Sequence, residues 1–148
     1  MFTGDSSGDF LYRALYETGF ASQPESVSRD DGLTLRDAYI TAAAHCAPPG
    51  NKPSPAELAA CRLHLARELS LLPNIQVAVV LGRIAHDNFL RALALQPSQY
   101  AFGHAVEHAL ERITLLCSYH PSRQNTSTRR LTAPMLRNVF ARARDLLD

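Results

Sequence analysis

The run His120-Pro121-Ser122-Arg123-Gln124-Asn125-Thr126 puts a histidine at the exit of an apolar stretch, Ile113 to Tyr119, and follows it with five hydrogen-bonding side chains. A histidine in that place can meet a ligand, and the proline stiffens the chain beside it. Ser122, Arg123, Gln124, Asn125 and Thr126 offer donors to phosphate oxygens or base edges. The plain alternative is a capped surface loop. Cys46 and Cys61 are separated by fourteen residues and by a loop with three prolines that can bring the thiols together. A zinc ion or an iron–sulfur cluster usually needs four ligands. His45 and His64 complete a two-cysteine, two-histidine set, although the spacing matches no standard zinc module. Two buried free thiols are the simpler reading. Cys117 lies inside an apolar stretch; paired with His120 it would be a nucleophile, but a buried inert thiol suits its surroundings better. The segment Phe2 to Gly8 precedes a helix start, where backbone N–H groups favour an anion. It is not a P-loop, because no Gly-Lys-Ser/Thr follows. Asp5 is a candidate general base that rests on one carboxylate. His86, His104 and His108 are assigned surface or structural roles.

These residues need elements to hold them. Apolar positions at Phe10, Leu11, Ala14, Leu15 and Phe20 have helix spacing, with capping chemistry at Ser7-Gly8-Asp9 and a stop at Gly19. Residues 38–43 read as a short buried strand and residues 48–53 as a rigid turn. Ser54-Pro55-Ala56-Glu57 opens a helix to about Leu71, with Ser at the cap, Pro in the first turn and an acid behind it. The apolar β-branched run Gln76 to Leu81 predicts a strand covered on both faces. A helix follows from Ile84 to Leu95, a loop over 97–103 and a short helix over 105–110. Ile113 to Tyr119 predicts another buried strand. His120 to Thr132 reads as a polar loop of a length that usually serves function. Ala133-Pro134 opens the last helix. Strands separated by helices predict an α/β fold with a parallel sheet between helices. Ligands of such sheets bind beyond the carboxyl ends of the strands. Segments 44–53, 82–87 and 120–132 lie there.

The chain has 148 residues, 46% hydrophobic and 20% charged. That predicts one globular domain, 1–148, and argues against whole-chain disorder. No apolar run is long enough for a transmembrane helix, so no membrane partner is expected. Three cysteines suggest a reducing compartment, not a disulfide framework. The net charge of +1 hides an asymmetry. Residues 120–148 carry 6 Arg against 2 Asp, whereas residues 1–119 carry 9 Lys/Arg against 12 Asp/Glu. A compact basic end fits a local phosphate contact, or simply a solvated helix face.

Four blocks together resemble the uracil-DNA glycosylase superfamily, and most closely its type 5 iron–sulfur branch. They are FTGDSSGDFLYRAL at 2–15, YITAAAHCAPPGNKPSPAELAAC at 39–61, VVLGRIAHD at 79–87 and YHPSRQNTSTRRLTAPML at 119–136. They occur in the family's order and cover most of the chain. The resemblance implies a three-layer sandwich with a parallel sheet between helices. It also implies an enzyme that flips a deaminated base out of double-stranded DNA and hydrolyses its N-glycosidic bond. By position, Phe2 matches the aromatic residue that stacks on the flipped base. Ala42 lies in the region that reads the pyrimidine edge, where some relatives carry asparagine. His120 matches the histidine that stabilises charge on the departing uracil. Ser122, Arg123, Gln124, Asn125 and Thr126 match the loop that enters the groove. Cys46 and Cys61 match two of the four ligands of a 4Fe-4S cluster. A monomer acting on DNA in a bacterial-type cytoplasm is the implied setting.

Against the family pattern, the chain begins midway. An upstream strand with a GLAP-like motif and an upstream cysteine pair have no counterpart, so the first strand of the sheet and two cluster ligands are expected to be missing. Arg129 stands where relatives commonly have glycine, and Ser127 replaces a usual aromatic residue. A truncated, catalytically inactive fragment that binds nucleic acid through its basic end is therefore one alternative. A small zinc-binding structural domain using His45, Cys46, Cys61 and His64 is another.

Overall fold

The computed structural model describes residues 6–42 and 54–148, which fall into two compact units. The first unit joins chain-distant pieces, residues 1–40 and 118–148. Helix α1 (Ser6–Glu17) turns Leu11, Tyr12, Ala14 and Leu15 inward. Its end is a Schellman arrangement: the Phe20 N–H donates to the Leu15 carbonyl at 2.8 Å and the Gly19 N–H to the Tyr16 carbonyl at 3.2 Å. Gly19 takes φ +82°, as such a cap requires. Helix α1 packs on the last helix of the chain, Ala133–Leu147, whose inward residues are Leu136, Val139, Phe140 and Ala143. Phe20 meets Phe140 edge-on, with ring centroids 6.2 Å apart.

The second unit spans residues 41–117. Helix α2 (Pro55–Ser70) begins where expected: Ser54 Oγ accepts from the Glu57 N–H at 3.1 Å, and proline occupies the first turn. Strand β1 (Val77–Leu81) leads through Gly82, at φ +94°, into helix α3 (Arg83–Ala92). Helix α3 packs against both α2 and β1. Two further strands, β2 (Glu107–Ala109) and β3 (Thr114–Ser118), complete a sheet in the order β1-β3-β2. Val80, Phe89, Leu90, Leu115 and Cys117 form its core against α3.

Three sequence expectations change. The sheet is mixed: β1 and β3 form a parallel pair, whereas β2 runs antiparallel to β3. The tight turn between β2 and β3, closed by the Leu110 N–H on the Ile113 carbonyl at 2.9 Å, can join only antiparallel neighbours. The segment expected as a helix over 105–110 is therefore strand β2. There Glu107 and Ala109 are exposed and His108 is half-buried, an alternation of period two. Residues 38–42 form no strand, and Tyr39 is 62% exposed. None of these residues takes part in a strand ladder. Residue 43, the end of that expected strand, lies outside the described residues.

Candidate active site

The His120 segment is the part of the predicted site that the structure describes in full. It is not a long open loop. A short helix, α4 (Arg123–Ser127), follows directly on the strand exit, and the closing helix of the chain, α5, is the Ala133–Leu147 helix already described. Ser122 caps α4, with its Oγ accepting the Asn125 N–H at 3.2 Å. Serine followed by three polar residues suits such a cap.

This local fold sorts the five residues expected to touch DNA. Asn125 turns back: its Nδ2 donates to the His120 carbonyl at 2.9 Å, and its own carbonyl accepts the Leu131 N–H at 3.0 Å. Thr126 Oγ1 donates to the Arg123 carbonyl at 3.2 Å. Ser122, Asn125 and Thr126 are half-buried, whereas Arg123 and Gln124 are exposed. His120 itself is half-buried. Asn125 and the buried Pro121 fix the backbone that carries it.

Two further arginines follow this helix in the chain. Arg129 and Arg130 are exposed, and the Arg130 guanidinium stacks 4.6 Å from the centroid of the Tyr119 ring. Arg129 takes φ +61°, a left-handed conformation that suits glycine and costs other residues about 1–2 kcal/mol. The glycine expected at this position thus has a backbone reason.

Other predicted site residues fall elsewhere. Phe2, Asp5, His45 and Cys46 lie outside the described residues. Ala42 is half-buried in irregular backbone. Cys61 lies on the buried side of α2, and His64, one turn further on, is exposed. The described residues thus hold one of the two thiols assigned to a cluster, and the chain holds two of the four that a 4Fe-4S group needs. The donor set of this chain does not by itself complete such a site.

Cys117 is fully buried, and burial pushes its thiol up to about 11. It stays protonated at neutral pH, which removes the nucleophile reading. Sequence reading also left His86, His108 and Cys117 apart, yet one donor atom from each lies within 4.8 Å of the others. The signal was the alternation along Glu107-His108-Ala109. Read as a strand, it puts His108 on the same sheet face as Cys117.

A model of the uracil DNA glycosylase superfamily matches residues 1–144. A type-5 uracil-DNA glycosylase of Thermus thermophilus is 49% identical over 146 residues, covering 98% of this chain and 66% of the relative. One from Mycobacterium tuberculosis is 45% identical over 149 residues, covering 99% of this chain and 56% of the relative. One from Pyrobaculum aerophilum is 41% identical over 143 residues, covering 97% and 62%. The chain thus spans between about half and two thirds of the length of the curated relatives it matches.

Proposed function

Because the chain belongs to the uracil DNA glycosylase superfamily, we propose that it excises uracil or another deaminated base from double-stranded DNA. The three relatives above are named type-5 uracil-DNA glycosylases, which supports that substrate class. The match runs across both compact units, which supports residues 1–148 acting as one domain within a three-layer sandwich.

The observation that carries the reading is the pinned His120 followed by exposed Arg123 and Gln124. In the reaction, water adds to C1′ of the deoxyribose as the C1′–N1 bond breaks. The bonding pair leaves with the base, which departs as an anion, and the water proton passes to a base. His120 donates a hydrogen bond to the uracil oxygen on which that charge grows. A donor aimed at charge formed only in the transition state raises the rate rather than the affinity. The chain from Asn125 to the His120 carbonyl holds the donor ready, so little reorganisation is left for the reacting complex. Phe2 stacks on the flipped base, Ala42 borders its edge, and Asp5 takes the water proton. Arg123, Arg129 and Arg130 meet phosphates. Gln124 reaches the groove.

Cys46 and Cys61 would supply two of the four thiolates of a 4Fe-4S cluster, whose contribution there would be structural. No step of the reaction runs through it.

The test is release of uracil from a duplex oligonucleotide carrying one uracil, by the parent chain and by His120→Ala. Release by the parent, reduced about 10²-fold or more in the variant, is expected. Equal release by both would place leaving-group stabilisation elsewhere. Tight, salt-sensitive DNA binding without release by either would favour a non-catalytic nucleic-acid module.

A further inference from the structure

We propose that His86, His108 and Cys117 form a metal site for a zinc-class divalent cation, with water as the fourth ligand. None of the three belongs to the cysteine pair assigned to a cluster, and none is used in the proposed reaction.

Three chain-distant elements converge here. In the β2–β3 ladder His108 lies opposite Leu115, and opposed residues share a face. Cys117 is two residues beyond Leu115 on the same strand, hence on that face too. The Ala105 N–H bonds the Cys117 carbonyl at 2.8 Å and the Cys117 N–H bonds the Val106 carbonyl at 2.9 Å, which holds Cys117 firmly beside β2. Helix α3 covers this face and brings in His86, which is 1% exposed. One donor atom from each side chain falls within 4.8 Å of the other two. Zinc–nitrogen bonds of about 2.0–2.1 Å and a zinc–sulfur bond of about 2.3 Å put tetrahedral ligands roughly 3.4–3.8 Å apart. Closing the three side chains by about 1 Å suffices.

The ring nitrogens are already prepared. His86 Nδ1 is bonded to Asp87 Oδ1 at 2.7 Å, a carboxylate–histidine pair of the kind that orients metal-ligating imidazoles. The other ring nitrogen of His86, Nε2, is buried and has no hydrogen-bond partner. Native interiors rarely keep a buried polar atom unsatisfied. A cation at this point uses that lone pair. His108 Nε2 is bonded to the Ala101 carbonyl at 2.8 Å, which leaves Nδ1 as its unprotonated nitrogen. Phe102 meets the His86 ring edge-on at 5.4 Å and Tyr100 meets His108 at 5.5 Å, so both rings are packed in place. Two imidazoles and one thiol form a borderline-soft donor set, which selects zinc over magnesium or calcium. On binding, the sulfur–hydrogen bond breaks, a sulfur–metal bond forms, and the proton passes to solvent.

The metal-free full chain is titrated with Co²⁺ as an optical stand-in for zinc. Expected is a near-ultraviolet thiolate-to-cobalt band that saturates at one cobalt per chain and is displaced by zinc. Cys117→Ser abolishes the band, and His108→Gln, at a half-buried position, weakens binding at least tenfold. Asp87→Asn keeps the volume and weakens binding by about 10–100-fold. The double variant Cys46→Ser/Cys61→Ser retains the band. Should Cys117→Ser lose its native circular dichroism, His108→Gln and Asp87→Asn decide. A band that survives these two variants, a band lost only with Cys46 and Cys61, or binding with no thiolate band each overturns the proposal.

Discussion

Asn125 ties its own segment together at both ends. Its amide holds the His120 carbonyl at 2.9 Å, and its backbone anchors the far end of the loop through Leu131. Asn125→Ala should lower stability by about 1 kcal/mol in thermal denaturation, the ordinary worth of one such bond. It should also slow single-turnover base release, with DNA affinity little changed. Asn125→Asp fills the same space without the donor, and it should behave like the alanine variant. Arg129 is the opposite case, a residue at odds with its own backbone. Arg129→Gly relieves the φ +61° strain but adds freedom to the unfolded chain. The balance should raise stability by about 0.5–1 kcal/mol, read as a higher melting midpoint. The residue types in His120 to Thr126 were legible as a ligand-facing set. Which of them face inward was not, because a five-residue helix depends on where its cap falls.

Elements end where local chemistry stops them, and several of those stops can be tested. Helix α5 is capped by Thr132, whose Oγ1 accepts the Met135 N–H at 3.4 Å. Thr132→Ala should cost about 1 kcal/mol in denaturant unfolding. The turn over 27–33 is organised by Asp31. Its carboxylate accepts from the Leu33 N–H at 3.0 Å and the Val27 N–H at 2.7 Å, with the Ser28 N–H at 3.4 Å. These bonds, Leu33 first, hold the Asp31 carboxyl below the usual carboxylate range. A depressed folded value means that the stabilisation is complete above the ordinary value of about 4 and is lost as pH falls through the folded one. Protection of the Val27 and Leu33 amides, measured against the free-chain exchange rate at each pH, should therefore fall in acid, and Asp31→Asn should remove that acid dependence. Helices were legible from period and caps: α2 starts at its Ser-Pro signal and α1 stops at its glycine. Strand β2 was not, because an alternation over three residues is too short to outweigh a helical reading until the ladder to β3 is seen.

At the scale of the whole molecule, the first unit depends on contacts between the two ends of the chain. Arg144 on α5 reaches the close of α1: Nε donates to the Thr18 carbonyl at 3.3 Å, and a guanidinium NH₂ nitrogen to that of Gly19 at 3.0 Å. Its guanidinium lies 4.0 Å from the Phe20 ring centroid and 3.1 Å from Asp37 Oδ2. Asp37 is 71% exposed, so that ion pair adds little. The carbonyl bonds and the stacking matter more. Arg144→Met should cost about 1.5–3 kcal/mol, the range for bonds to a charged donor, and Arg144→Lys should not restore it. Charge is likewise distributed at this scale, with the basic surplus confined to residues 120–148. If Arg123 and Arg130 each neutralise one phosphate, the double glutamine variant should flatten the log–log salt slope of DNA binding by about 1.8.

What the sequence by itself determined is whatever depends on neighbours along the chain: the Ser54 cap of α2 and the glycine stop of α1, though not the start of α1, which lies at Ser6 and takes the expected capping residues 7–9 into the helix; the apolar strands β1 and β3; the basic end; and the four ordered blocks that carry the family resemblance. Those signals are local, or they are matched as strings, so no fold is needed to read them. Only the tertiary structure decided what depends on pairing across the chain. It made residues 107–109, inside the expected helix 105–110, a strand, left 38–42 without a ladder, and turned Asn125 toward His120. It also brought His86, His108 and Cys117 together from a helix and two strands. The physical reason is that hydrogen-bond ladders and buried faces are set by partners far away in sequence, and a linear reading cannot supply the partner.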